Sequence, residues 1–171
     1  MLSLVALAAA AATAAQPPAL NASAPWWDKI TMVMDSNGTE KSCTYETSLD
    51  PTLASRCETE DSGLAGKKAK TPVGVVTKIS FERRFSPGDR PEPGRLQPGD
   101  TLLGRQLIHL TIDGSGAVKS CKVVDVSGDA PDYGCREAES ETFALKASAP
   151  DSGLQQGFMT ILVYGHAEQL A

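Results

Sequence analysis

Ile30, Met32 and Met34 alternate with Thr31 and Val33, and the run ends in Asp35-Ser36-Asn37-Gly38. Further on, Ile108, Leu110 and Ile112 alternate in the same way and run into Asp113-Gly114-Ser115-Gly116. A two-residue period interrupted by a polar turn containing Gly predicts a β-hairpin in each place. The return strands fall at 39–46 and 117–126. A short helix is expected after each hairpin. In the first, Asp50-Pro51 fits an N-cap and first helical residue ahead of Leu53, Ala54 and Cys57; in the second, Asp129 or Asp132 would cap a helix carrying Cys135, Ala138 and Phe143. Thr77, Ile79, Phe81 and Phe85 then alternate with Lys78, Ser80, Glu82 and Arg84, and residues 158–164 are almost continuously apolar, so a last strand closes each unit. The expected class is α+β: two units of β-hairpin, short helix and strand, each an antiparallel sheet with a helix on one face.

The two stretches are copies of one another. Residues 30–43 (ITMVMDSNGTEKSC) and 108–121 (IHLTIDGSGAVKSC) share Ile30/Ile108, Asp35/Asp113, Gly38/Gly116, Lys41/Lys119, Ser42/Ser120 and Cys43/Cys121 at a constant offset of 78. The same offset places Cys57 on Cys135, so all four cysteines belong to the repeat. Two copies fall short of the three or more units that a solenoid needs, which makes this a duplication. Between them lies SPGDRPEPGRLQPGD, residues 86–100, whose Pro and Gly bar regular structure and mark a linker. The organisation expected is a leader over 1–15, a disordered segment over 16–25, a first unit over 26–85, the linker, and a second unit over 101–171.

The leader changes the picture of where the protein works. MLSLVALAAAAATAA is apolar and uncharged and ends in small residues, which reads as a secretory signal cleaved near Ala14 or Ala15; a retained membrane anchor is the alternative. Fifteen apolar residues are fewer than the ~20 a span needs. The mature chain is expected in the periplasm or outside the cell. An even number of cysteines in such a compartment implies disulfides, and the repeat selects Cys43–Cys57 and Cys121–Cys135. A redox centre would want Cys-x-x-Cys and a zinc site a close Cys pair, and neither spacing occurs. The formal charge is −5, which argues against a nucleic-acid partner.

Other candidate chemistry is sparse. Asp35-Ser36-Asn37-Gly38 opens like a calcium loop, but Glu40 stands where such a loop needs Gly. Ser42 and Ser120 lack a Gly-x-Ser-x-Gly elbow. His109 lies out of phase with Ile108 and Leu110 and is expected to face solvent or a partner. Trp26-Trp27 is the one concentration of aromatic surface, fit either for packing against the first hairpin or for binding. No cofactor and no metal are expected.

The run IHLTIDGSGAVKSCKVVDVSGDAPDYGCREA, with its following helix and the strand FMTILVYG, resembles the carboxy-terminal domain of the TonB energy-transducer family. Asp113, Gly116, Val118, Val123, Val124, Ser127 and Gly128 stand at that family's strand–turn–strand positions, and Cys121 and Cys135 match cysteines found in some members. The membrane span and long Pro-rich arm of transducers have no counterpart in this sequence, and the aromatic-x-Pro segment after the helix is missing in the second copy, where Ala147-Ser148-Ala149-Pro150 stands. The resemblance implies binding of an envelope or outer-membrane protein, by adding a partner strand to an open sheet edge. The residues expected to carry it are Trp26, Trp27, Thr77, Ile79, Ser80, Phe158, Thr160, Leu162 and Tyr164. Two alternatives stand beside it: a hydrolase or thiol enzyme with a site between the copies, using His109, His166 and Asp125, and an envelope structural or inhibitor protein.

Overall fold

The computed structural model describes residues 19–34, 40–49, 76–129, 131–145 and 153–167. Its strands are β1 (Leu20–Asn21), β2 (Trp26–Met34), β3 (Glu40–Thr47), β4 (Val76–Pro87), β5 (Asp100–Ile112), β6 (Val118–Gly128), β7 (Phe143–Ala144) and β8 (Gln155–Ala167), with one helix, α1 (Cys135–Ser140). Six of them form a single antiparallel sheet in the order β3-β2-β4-β8-β5-β6, while β1 and β7 make a small parallel pair. The described protein is nearly all β, and the expected α+β class is wrong. The helix expected over 50–57, the turn at 35–38, Cys57 and the leader lie outside the described residues.

The duplication is written into the hydrogen-bonding register. Ile30 pairs with Tyr45 on one side and Phe81 on the other; Ile108 pairs with Val123 and Met159, each displaced by the same 78 residues. Even the irregularities recur. Lys41 is passed over between the pairs Val33–Ser42 and Met34–Glu40, and Lys119 between Thr111–Ser120 and Ile112–Val118. The shared Lys-Ser-Cys triplet is thus a β-bulge on each outermost strand, where a bulge with a charge discourages edge-to-edge association.

What alternation could not reveal is that the two last strands pair with each other. β4 and β8 run antiparallel from Val76–Ala167 to Pro87–Gly157, and at the centre Arg83 faces Ile161, its own repeat equivalent. A pseudo-twofold axis passes between them. The expectation that 77–85 or 158–164 would lie at a sheet edge is therefore wrong: both occupy the middle, and the edges are β3 and β6.

One sheet face carries Trp26, Phe81, Phe85, Ile108, Leu110, Ile112, Met159 and Ile161, packed with Tyr133, Ala138 and Phe143 from the segment after β6 and with Leu20 and Ala22. Part of the segment 16–25, expected to be disordered, thus forms β1 and enters the core. Helix α1 is only six residues long. The Glu137 carboxylate accepts the Gly134 N–H at 2.8 Å, Ser140 Oγ donates back to Glu137 O at 2.6 Å, and Phe143, expected on the helix, instead leaves it to fill the core in β7. A disulfide between Cys121 and Cys135 pins α1 to β6. Closing a loop of ~15 residues in this way is worth about 3 kcal/mol. Cys43 is likewise not a free thiol.

The turn at 113–116 is as expected. Asp113 Oδ1 accepts from Ser115 N at 2.8 Å and Ala117 N at 3.1 Å, and Gly116 has φ of 85°. A Cβ at Gly116 would lie 1.9 Å from Phe143 O, so the position admits no side chain.

An ion pair interrupts the core face. Arg83 grips Asp28, with Nε 3.0 Å from Oδ1, reaches Glu141 Oε1 at 2.8 Å, and lies over the rings of Trp26 and Tyr133. Burial alone would lower its pKa, but the hydrogen bonds and charge of Asp28 outweigh that and hold it above the ordinary arginine value. In the second unit the equivalent pair is Gln106–Ile161. Replacing Asp28 by Ala should cost about 3 kcal/mol, the lower end for breaking a buried pair, because Glu141 alone is then left to balance a largely buried cation. The double substitution Asp28→Gln/Arg83→Ile, which installs the second unit's pair, should recover much of that loss in urea denaturation.

Candidate functional site

The opposite face of the sheet is polar, and the connection between the units crosses it. β4 and β5 run parallel with β8 between them, and Asp100 pairs with His166, which pairs with Lys78 near the start of β4. The connection must therefore return the length of β4 and step over β8, a path of roughly 30 Å. Residues 88–99 reach ~40 Å when fully extended. Little slack remains, and Pro91, Pro93 and Pro98 suit an extended course. What reads in sequence as a linker is a strap fastened to the sheet. Gly88 N donates to Gln156 O at 2.9 Å, and Arg90 lies 3.6 Å from Asp125. At Gly94 the strap comes so near Arg84 that a Cβ there would stand 2.5 Å from Nη1.

Strap and sheet enclose an open cleft of about 650 Å³. Its floor is laid by paired residues of β2 and β4, Trp27 opposite Arg84 and Lys29 opposite Glu82. Tyr164 of β8, Ser48, and Arg95, Leu96 and Gln97 of the strap complete the wall. Glu82 is buried but fully engaged: Oε1 accepts from Arg84 Nε at 2.5 Å and Oε2 from Tyr164 Oη at 3.1 Å. Burial and then the Glu82 charge push the Tyr164 phenol up to about 12. Lys29 pairs with Glu46, and Asp100 with His166 Nδ1 at 3.0 Å. Arg95 makes no ion pair among the described residues.

The structure divides the residues singled out from sequence. Trp26 and Trp27 part company. Trp26 is core, stacked on Phe85 at 5.8 Å with Nε1 donating to Asn21 O at 2.9 Å, whereas Trp27 is 39% exposed at the cleft. Tyr164 also lines the cleft. Ser80 is buried against Thr31 Oγ1 at 3.1 Å, Leu162 is buried, and Thr160 pairs with Arg84 and Leu107 in mid-sheet. Ile79 lies within β4, and Thr77 is passed over as a bulge at its start. Phe158 packs at a tilt against His109, with ring centroids 4.8 Å apart, so that histidine lies against a ring rather than turned wholly to open solvent. His109, His166 and Asp125 do not form a site: His166 sits at the Asp100 end of β5, ~30 Å from His109, and Asp125 is held by Arg105 and Arg90. No cluster of three metal-ligating side chains occurs among the described residues.

Sequence reasoning missed Lys29, Glu82, Arg84 and Arg95. The first three alternate with apolar neighbours and read as an ordinary solvated strand face; only the strap lying over them turns that face into a cleft. No protein-family model matches the chain, and neither a curated protein nor a solved structure is significantly similar to it.

The Glu82–Tyr164 contact has a measurable signature. Because the folded phenol titrates above its ordinary value of 10.0, stability should fall as pH rises from 10 towards 12. Absorbance titration of wild type minus Tyr164→Phe should place the phenol near 12, and Glu82→Gln should lower it while leaving it above 10 through burial.

Proposed function

We propose that the protein is a non-enzymatic binding module of the bacterial envelope, working outside the cytoplasm, that takes an extended segment of a partner protein along β6. The observation that carries this reading is the character of that edge. β6 is eleven residues long and pairs with β5 alone in the sheet, so one side of its backbone has no described strand beside it. Its second half also presents Val123 and Val126, 39% and 48% exposed, on the same face of the sheet. Unpaired strand backbone supplies affinity to an added strand, and side chains of alternate residues supply selectivity. The other edge, β3, is shorter and guarded by Glu40, Lys41 and Glu46. On β6 the guarding Lys119 and Lys122 stand only in the first half.

The export reading draws support from the Cys121–Cys135 disulfide, which belongs to an oxidising compartment, and from the apolar leader sequence. The resemblance of 101–171 to TonB carboxy-terminal domains points to the same class of partner, an envelope protein, and the hairpin, helix and closing strand follow in that family's order. The enzymatic alternative gains nothing from geometry, since its two histidines are held apart.

Charging the edge tests the proposal. Wild type and Val123→Lys/Val126→Lys are used to capture partners from the host's envelope extract, and amide exchange of the purified complex is then followed. Partners retained by wild type should be lost by the variant, and β6 amides should slow on binding. Equal capture by the folded variant, or protection elsewhere with β6 unchanged, would reject edge pairing.

A further inference from the structure

We infer that the cleft between the strap and the sheet is a separate binding site for a small organic anion with an aromatic or apolar body. The inference is independent of strand addition at β6, because it concerns the opposite half of the sheet. A volume of about 650 Å³ falls within the range of small-molecule sites. The walls are of two kinds. Trp27 offers an indole that is 39% exposed although its backbone is fixed: Trp27 N donates to Ser48 Oγ at 2.8 Å, while its carbonyl oxygen accepts from Ser48 N at 2.9 Å and Thr47 Oγ1 at 3.0 Å. A large apolar ring carried on a fixed backbone and left open to a cleft is available to stack on a ligand, with only its own side-chain rotation to lose.

Charge supplies the second element. Within the lining, the carboxylates are already engaged: Glu82 with Arg84 and Tyr164, Asp100 with His166. Lys29 is engaged with Glu46. Arg95 remains, carried on the strap, exposed, and without an ion pair among the described residues. The lining thus holds three cations against two anions, and its one uncommitted charged group is a guanidinium, which suits a carboxylate or sulfonate. A cationic ligand would meet no free carboxylate. A neutral one would stack on Trp27 and leave Arg95 idle. An anion with a flat body uses both walls together.

The probe is 1-anilinonaphthalene-8-sulfonate, an aromatic sulfonate, compared with N-phenyl-1-naphthylamine, the same ring system without the charge. Both are titrated by fluorescence into the full chain, with folding of every variant checked by near-ultraviolet circular dichroism. The sulfonate should bind saturably at one site and more tightly than the neutral amine. Arg95→Ala should weaken the sulfonate about fivefold, the worth of one partly screened ion pair, and leave the amine unchanged. Arg95→Lys should restore most of the sulfonate's affinity, and Trp27→Ala should weaken both probes. Sulfonate binding that is unsaturable, that matches the amine, or that is indifferent to Arg95→Ala would overturn the assignment.

Discussion

Everything distinctive in this protein depends on the antiparallel pairing of β4 with β8. Each unit alone is a three-stranded sheet whose last strand would have one open edge. Joining those two edges makes one six-stranded sheet, and three consequences follow without further assumption. The closing strands become the interior of the sheet. The hairpin return strands β3 and β6 become its margins. The connection from the first unit to the second must cross a face, since its two ends lie at opposite ends of the sheet with β8 between them. The cleft under the strap is the product of that last requirement.

The two faces divide the work of the protein. The apolar face, with α1, β1 and β7 against it, provides the stability through aromatic packing such as Trp26 on Phe85 and Phe85 on Phe143. The polar face provides chemistry, arranged as ion pairs and hydrogen bonds across neighbouring strands. Trp26 and Trp27 show the division at the scale of two residues, because successive side chains of a strand point to opposite faces.

Much of the strand structure was legible in the sequence because alternation is a local signal. Ile30, Met32 and Met34, their equivalents Ile108, Leu110 and Ile112, and both closing runs are all strands, and the offset of 78 carries through to register. The identity of a strand's neighbour is not local. Nothing in the alternation of Ile79, Ser80 and Phe81 says whether the next strand is solvent, a partner or residues 155–167, so the centre of the sheet was taken for its edge. The helix was overestimated for a related reason: Arg, Glu and Ala after Cys135 satisfy helix rules for six residues, after which the burial of Phe143 pulls the chain into a strand. The cleft was half visible. Trp27 and Tyr164 stood out as aromatics, whereas Lys29, Arg84 and Arg95 became neighbours only when a Pro-rich stretch proved to be a fitted strap.

The Arg83–Ile161 pair at the centre of the sheet bears on the genetics of the fold. A homodimer built from either unit alone would bring the axial residue against itself. Two copies of the first unit would set one guanidinium against another inside the sheet, each with its Asp28 but with no apolar residue opposite, and two copies of the second would forfeit the ionic anchor. Covalent fusion removes that constraint. Once two equivalent positions are encoded separately, one can become charged and the other aliphatic, with Asp28 and Gln106 diverging to match. The arginine at the axis is thus an asymmetry that two separately encoded strands can hold and a symmetric pair of identical units cannot.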